Sequence, residues 1–165
     1  MRLLLGFVLA AGLLVGCSSS GGGDGDSSGS GTGTASLPAI DEGADERARL
    51  DAARARWDAA AIDDYTWSFR RICFCPPLRA EVRVAGGEAV PGSVAVESGR
   101  AADLDFTTMD ELFAVVETEI DQSDEVTVEY DPATGQVRGF EADRIAEAVD
   151  DELSYVVERF LPAEG

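Results

Sequence analysis

The sequence predicts an α+β domain: a small antiparallel sheet with two helices packed on one face, after a disordered Gly/Ser tether. The prediction rests on apolar stripes at three- and four-residue spacing in two segments, period-two alternation bounded by Gly and Pro turns in several others, and a stretch ahead of them with no large apolar residue.

At the start of the chain, Met1-Arg2 precedes Leu3–Val15, an apolar run without charge. It falls short of the roughly 20 residues of a membrane-spanning helix and has the form of a secretory signal. Leu14-Val15-Gly16-Cys17 closes the run and resembles the lipobox of bacterial lipoproteins. The resemblance implies a signal peptide over residues 1–16, cleavage before Cys17, and acylation of Cys17. The membrane is then a partner through that lipid, which includes palmitate-type chains, because several acyl chains anchor stably where one is marginal. It places the protein in the cell envelope. Ser18 in place of aspartate leans towards the outer membrane facing the periplasm of a Gram-negative cell; otherwise the site is the outer face of the cell membrane. A plain cleaved signal or a membrane anchor with a chance cysteine are the alternatives.

Residues 17–43 form the lipidated cysteine and linker. Ser18–Ser36 is Gly, Ser and Thr with Asp24 and Asp26; it cannot bury a core and as a coil reaches roughly 25 Å. The aspartates lack the later acidic ligands of a calcium loop.

Residues 44–165 read as a single domain. Asp45 caps a helix that starts at Ala44 and ends near Ile62, with Leu50, Ala53, Trp57, Ala60 and Ala61 on one stripe. Tyr65, Trp67 and Phe69 alternate with polar residues, so that segment is a half-buried strand, ended by Pro76-Pro77. Ala80–Ala85 alternates with Val82 and Val84 inward; Gly86-Gly87 turns it back onto Glu88–Val90, and Val94 and Val96 continue the sheet. Thr108-Met109-Asp110-Glu111 is a capping box, followed by the stripe Leu112, Phe113, Val116 and Ile120. Glu125–Tyr130, the turn Asp131–Gly135 and Gln136–Glu141 form a hairpin. The tail supports two patterns: Ile145, Val149, Val156 and Phe160 fit a helix, whereas Leu153, Tyr155 and Val157 fit a strand.

Charge and composition restrict function. Acids number 32 against 13 basic residues, all arginine, for a formal charge of -19. Nucleic acid and anionic lipid heads are therefore excluded as partners, because both need basic clusters. Histidine is absent, which removes the commonest general base and metal ligand. No catalytic constellation and no cofactor motif stands out, and the expectation is that the protein is not an enzyme.

Trp57, Asp64-Tyr65-Thr66, Cys73-Phe74-Cys75-Pro76, Leu112-Phe113, Val128-Glu129-Tyr130-Asp131 with Gly135, and Asp151-Glu152 before Tyr155 occur in this order. Together they resemble a family of bacterial envelope proteins defined only as a domain of unknown function, numbered 6174, over roughly residues 50–160. The resemblance implies a small secreted or lipid-anchored α+β domain and no established activity. It tips the tail towards a final strand near Leu153–Phe160. Gln136-Val137 departs from the proline or aromatic that many members carry after the hairpin glycine.

Cys73-Phe74-Cys75 is the one chemically unusual spot. On a continuing strand both cysteines share the Tyr65/Trp67/Phe69 face, with Cα atoms roughly 6.6 Å apart, so bridging them needs a bend at Phe74. In an oxidising compartment a structural disulfide is the leading reading; a labile redox disulfide, soft-metal binding by two thiolates and reactive thiols stay open. Asp121, Asp124 and Glu125, and Asp150-Asp151-Glu152, are acidic clusters that read as solvated surface or, as the alternative, a calcium site. Arg70-Arg71 reads as a neutraliser of acidic surface, with recognition of an anionic group as the alternative. The leading functional expectation is a non-catalytic binding or assembly domain for an envelope protein or wall component. A thiol redox protein using Cys73 and Cys75 and a divalent-metal-binding acidic domain are the alternatives.

Overall fold

The computed structural model describes residues 36–148 and 150–163. The signal segment, Cys17 and nearly all of the Gly/Ser linker lie outside the described residues, as does Val149 of the helical alternative for the tail.

The order of elements is α1 (Glu46–Ala60), β1 (Tyr65–Cys73), β2 (Leu78–Ala85), β3 (Glu88–Ala89), β4 (Ala95–Ser98), a 3-10 turn (Ala101–Asp103), α2 (Met109–Gln122), β5 (Glu125–Tyr130), β6 (Val137–Asp143) and β7 (Glu152–Pro162). The fold is α+β. The strands form one seven-stranded sheet in the order β3-β2-β1-β7-β6-β5, and β4 also pairs with β2. Every pairing is antiparallel.

Local chemistry accounts for the ends of the helices. The Asp45 carboxylate accepts from the Ala48 N–H at 2.9 Å and starts α1. Ala61 then turns into the left-handed region, with φ 47°. The α2 capping box is complete: the Glu111 N–H donates to the Thr108 hydroxyl at 3.2 Å, and the Thr108 N–H donates to Glu111 at 3.2 Å. Gly86 and Gly87 both have positive φ, 60° and 77°, as the two-residue turn between β2 and β3 requires.

The helices cover the sheet face that carries Tyr65, Trp67, Phe69, Leu78, Ala80, Val82, Val84, Val128, Phe140 and Tyr155, all buried. Leu50, Ala53 and Trp57 from α1 and Met109, Leu112, Phe113 and Val116 from α2 fill the space above it. The chain crosses from β4 at one edge to β5 at the other through α2, so this helix lies over strands that are distant in sequence.

The tail is a strand, and its two sequence patterns have one cause. Phe69 of β1 pairs with Val157 of β7, but Ser68 pairs with Arg159, so Glu158 is an extra residue in β7. Such a bulge shifts the alternation by one position. Leu153, Tyr155 and Val157 face the core before it, and Phe160 faces the core after it, opposite Trp67.

Gly135 closes the β5–β6 turn with φ 77°, and a Cβ there would overlap the Ala53 carbonyl of α1. Gly86 also has positive φ, 60°, but nothing lies within 4 Å of a Cβ there. Gly135→Ala is expected to cost about 2–3 kcal/mol, from backbone strain plus collision. Gly86→Ala should cost about 1 kcal/mol, from the backbone term alone. Urea unfolding midpoints of the two variants measure the difference.

Candidate functional site

Cys73 is the last residue of β1 and continues the alternation of Tyr65, Trp67 and Phe69, whereas Cys75 lies off the strand and does not. The chain bends at Phe74, bringing the two Cα atoms to 5.1 Å and the sulfurs together as a close pair. That separation lies within the range a disulfide spans. The bend leaves Phe74 83% exposed.

The turn is tied down on its inner side. Arg71 points to the helix-covered face, with its side chain 14% exposed. Its guanidinium donates to the Asp105 carboxylate at 3.1 Å, the Asp103 carbonyl at 3.3 Å and the Pro76 carbonyl at 3.5 Å. One side chain thus joins β1, the Cys-Pro turn and the segment leading into α2. The Tyr155 hydroxyl also donates to Asp105. Burial, then the Asp105 carboxylate, pushes the Tyr155 phenol well above its ordinary 10.0, so it stays a neutral donor.

A cleft of about 840 Å³ opens between this turn and α2. Cys73, Cys75, Phe74, Leu153 and Tyr155 form its sheet side, and Ala114, Val115 and Thr118 its helix side. Arg71 and Arg144 are its cations, and Asp105, Glu111, Glu119, Asp150, Asp151 and Glu152 its carboxylates. Arg144 holds Glu119 with both arms, donating through Nε at 3.0 Å and also through Nη2. The Arg144 guanidinium, aided by the Ser123 hydroxyl, keeps Glu119 below its ordinary 4.5 against the opposing effect of burial.

The acidic runs singled out in the sequence do not assemble into one site. Asp121 pairs with Arg47 of α1, whereas Asp124 accepts from the Ala146 N–H at 2.9 Å. Asp150, Asp151 and Glu152 reach the cleft, and both Asp151 carboxylate oxygens are buried with no hydrogen-bond partner among the described residues. Among the described residues no group of three His, Cys, Asp or Glu side chains is arranged to hold a metal ion. Arg70 and Arg71 separate onto opposite faces, as neighbours on a strand must: Arg70 meets Glu158 on the open face at 3.4 Å, and Arg71 meets Asp105 on the covered one.

Asp105, Glu119, Arg144 and the hydroxyl of Tyr155 were not legible as site residues. Glu119 carried a signal nonetheless. It follows Val116 by three residues on the apolar stripe of α2 and is buried, and an acid in that position requires a partner.

The folded Glu119 carboxyl titrates below its unfolded value, so its stabilising contribution is complete above the unfolded value and is lost as pH falls through the folded one. Glu119→Gln should therefore destabilise by about 1–2 kcal/mol at neutral pH. The gap between wild type and variant should narrow as pH falls below the ordinary glutamate range and close once the folded carboxyl is protonated, as followed by urea unfolding across pH.

Among the described residues no helix is long and apolar enough to cross a membrane. No curated protein and no solved structure matches this chain. The landmark residues of the sequence mostly have structural roles here. Trp57 donates its indole N–H to Asp110 at 3.0 Å, Asp64 accepts from the Gly86 N–H at 2.8 Å, and Asp131 caps its own turn by accepting from Ala133 and Thr134. Residues 49–162, the span that contains these landmarks, the Cys-Phe-Cys turn and the cleft, match the model of the family of unknown function DUF6174, and the chain belongs to that family.

Proposed function

We propose that the protein is a lipid-anchored, non-catalytic binding domain of a cell envelope. In this reading Cys17 carries the lipid, and the end of the sheet beside the Cys73–Cys75 turn meets an envelope protein or wall component. One observation carries the binding part: Ile72, Phe74 and Ile145 are 45%, 83% and 58% exposed, and all three lie at the same end of the sheet. Large apolar side chains left in water together are a feature of interaction sites. Arg71 clamps the turn that carries Phe74, which lowers the ordering cost of association. The absence of histidine favours a non-catalytic role.

Thiol–disulfide exchange at Cys73 and Cys75 is a second reading. It is favoured by the place of the pair on the wall of the cleft, with Cys75 exposed. The exchange would transfer two electrons and two protons from a dithiol partner to the disulfide. Titration of the thiols at set potentials decides it. A pair that resists mild dithiols, with serine variants altered only in stability, removes the redox reading.

Palmitate labelling tests the anchor: wild type should be labelled and membrane-bound, and Cys17→Ser unlabelled and released. An unlabelled wild type refutes it. A photo-crosslinking residue at position 74 tests the surface. It should yield a discrete adduct in intact envelopes where the same group at position 66, on the open face at the far end of β1, yields none; equal yields from both positions refute the binding reading.

A further inference from the structure

The open face of the sheet divides into two parts. Towards the middle of β1, β2 and β7 it carries ion pairs: Arg79 meets Glu158 at 2.6 Å and Glu97 at 3.1 Å, Arg70 meets Glu158, and Arg159 meets Glu81. Next to the Cys-Phe-Cys turn the same face holds a second recess of about 490 Å³, on the other side of Phe74 from the cleft. Ile72 and Phe74 form its apolar flank. Glu152 pairs in register with Asp143, and Asp143 with Glu125, so three carboxylates stand side by side across adjacent strands. Glu141 lies on the same face two residues from Asp143. Among the described residues none of these four carboxylates has an arginine partner within 4.0 Å.

Like charges directly opposite each other destabilise a sheet. At the recess, where the surface is concave and apolar at its rim, four such acids stand together without the arginines that pair Glu81, Glu97 and Glu158 elsewhere on the face. We infer that this recess docks a basic, amphipathic polypeptide segment, in which lysine or arginine side chains meet Glu125, Glu141, Asp143 and Glu152 and an apolar side chain covers Ile72 and Phe74. The inference rests on the binding reading above and names the chemistry of the partner. Adjacent strands lie roughly 4.8 Å apart, so the row from Glu125 to Glu152 extends about 10 Å. A single small cation cannot span that distance and cover the apolar flank as well. An extended peptide, with alternate side chains about 6.6 Å apart, can do both. The exposed Phe74 ring also suits a guanidinium or ammonium group. Anionic surfaces are repelled, and a second copy of a chain with charge -19 is opposed by the same repulsion.

The test is calorimetric titration of the full-length chain in detergent with a short, end-blocked peptide alternating lysine and leucine. Binding should weaken as salt is raised. Paired Asp143→Asn and Glu152→Gln changes should lower affinity about tenfold while raising the melting temperature, because the repulsion is relieved. A purely structural role for these acids would not move stability and affinity in opposite directions. Phe74→Ser should also weaken binding and leave the melting curve unchanged. Unchanged affinity in both variants, equal binding of a glutamate–leucine peptide, or equally tight binding of spermine overturns the inference. Any of these results with the position-74 crosslink intact leaves the general binding reading standing; loss of the crosslink removes that reading too.

Discussion

Trp67 packs against Phe69 and Phe106, with ring centroids 4.7 and 5.6 Å away, and its indole N–H reaches the Thr107 carbonyl at 3.1 Å. On the same strand the Tyr65 hydroxyl accepts the Met109 N–H at 2.7 Å, and Trp57 of α1 holds Asp110. Three aromatic side chains thus bury their rings in the core and place their polar tips on the first turn of α2. That turn carries N–H groups without partners inside the helix. Two are met by Tyr65 and Thr108. The position of α2 over the sheet, and with it the helix wall of the cleft, follows from the apolar alternation of β1.

β1 is paired on both edges, with β2 on one side and β7 on the other. The first pairing is a local hairpin. The second joins residues about ninety positions apart in sequence and is the costlier to close. Burial of Tyr155, Val157 and Phe160 against the β1 aromatics offsets that cost: Tyr65 and Phe160 rings lie 4.9 Å apart, and Phe69 and Tyr155 rings 6.4 Å apart. The bulge at Glu158 keeps both halves of β7 facing inward. Without it, either Tyr155 and Val157 or Phe160 would face solvent.

The same end of the sheet gathers the candidate site for a topological reason. The carboxyl ends of β1 and β6 and the amino ends of β5 and β7 meet there. The Cys-Phe-Cys turn, the β6–β7 loop and the end of α2 therefore converge without being close in sequence. Arg71 fastens the turn from the covered side, and the unpaired acids of β5, β6 and β7 lie on the open side. Phe74 stands between the cleft and the recess and lines both.

Local sequence was sufficient for the elements whose signals are short-range. The Asp45 and Thr108–Glu111 caps, the Gly86-Gly87 turn, the alternation of β1 and β2 and the α2 stripe depend on spacings within a few residues, and each formed where those spacings placed it. The identity of the tail was not determined that way, because a bulge is defined by the partner strand and β7 finds β1 only in the folded chain. The site was hidden for the same reason. Asp105, Arg144 and Tyr155 become chemically meaningful through Arg71, Glu119 and one another, across 25 to 50 positions of sequence, and only the antiparallel pairing brings such groups within a few ångströms.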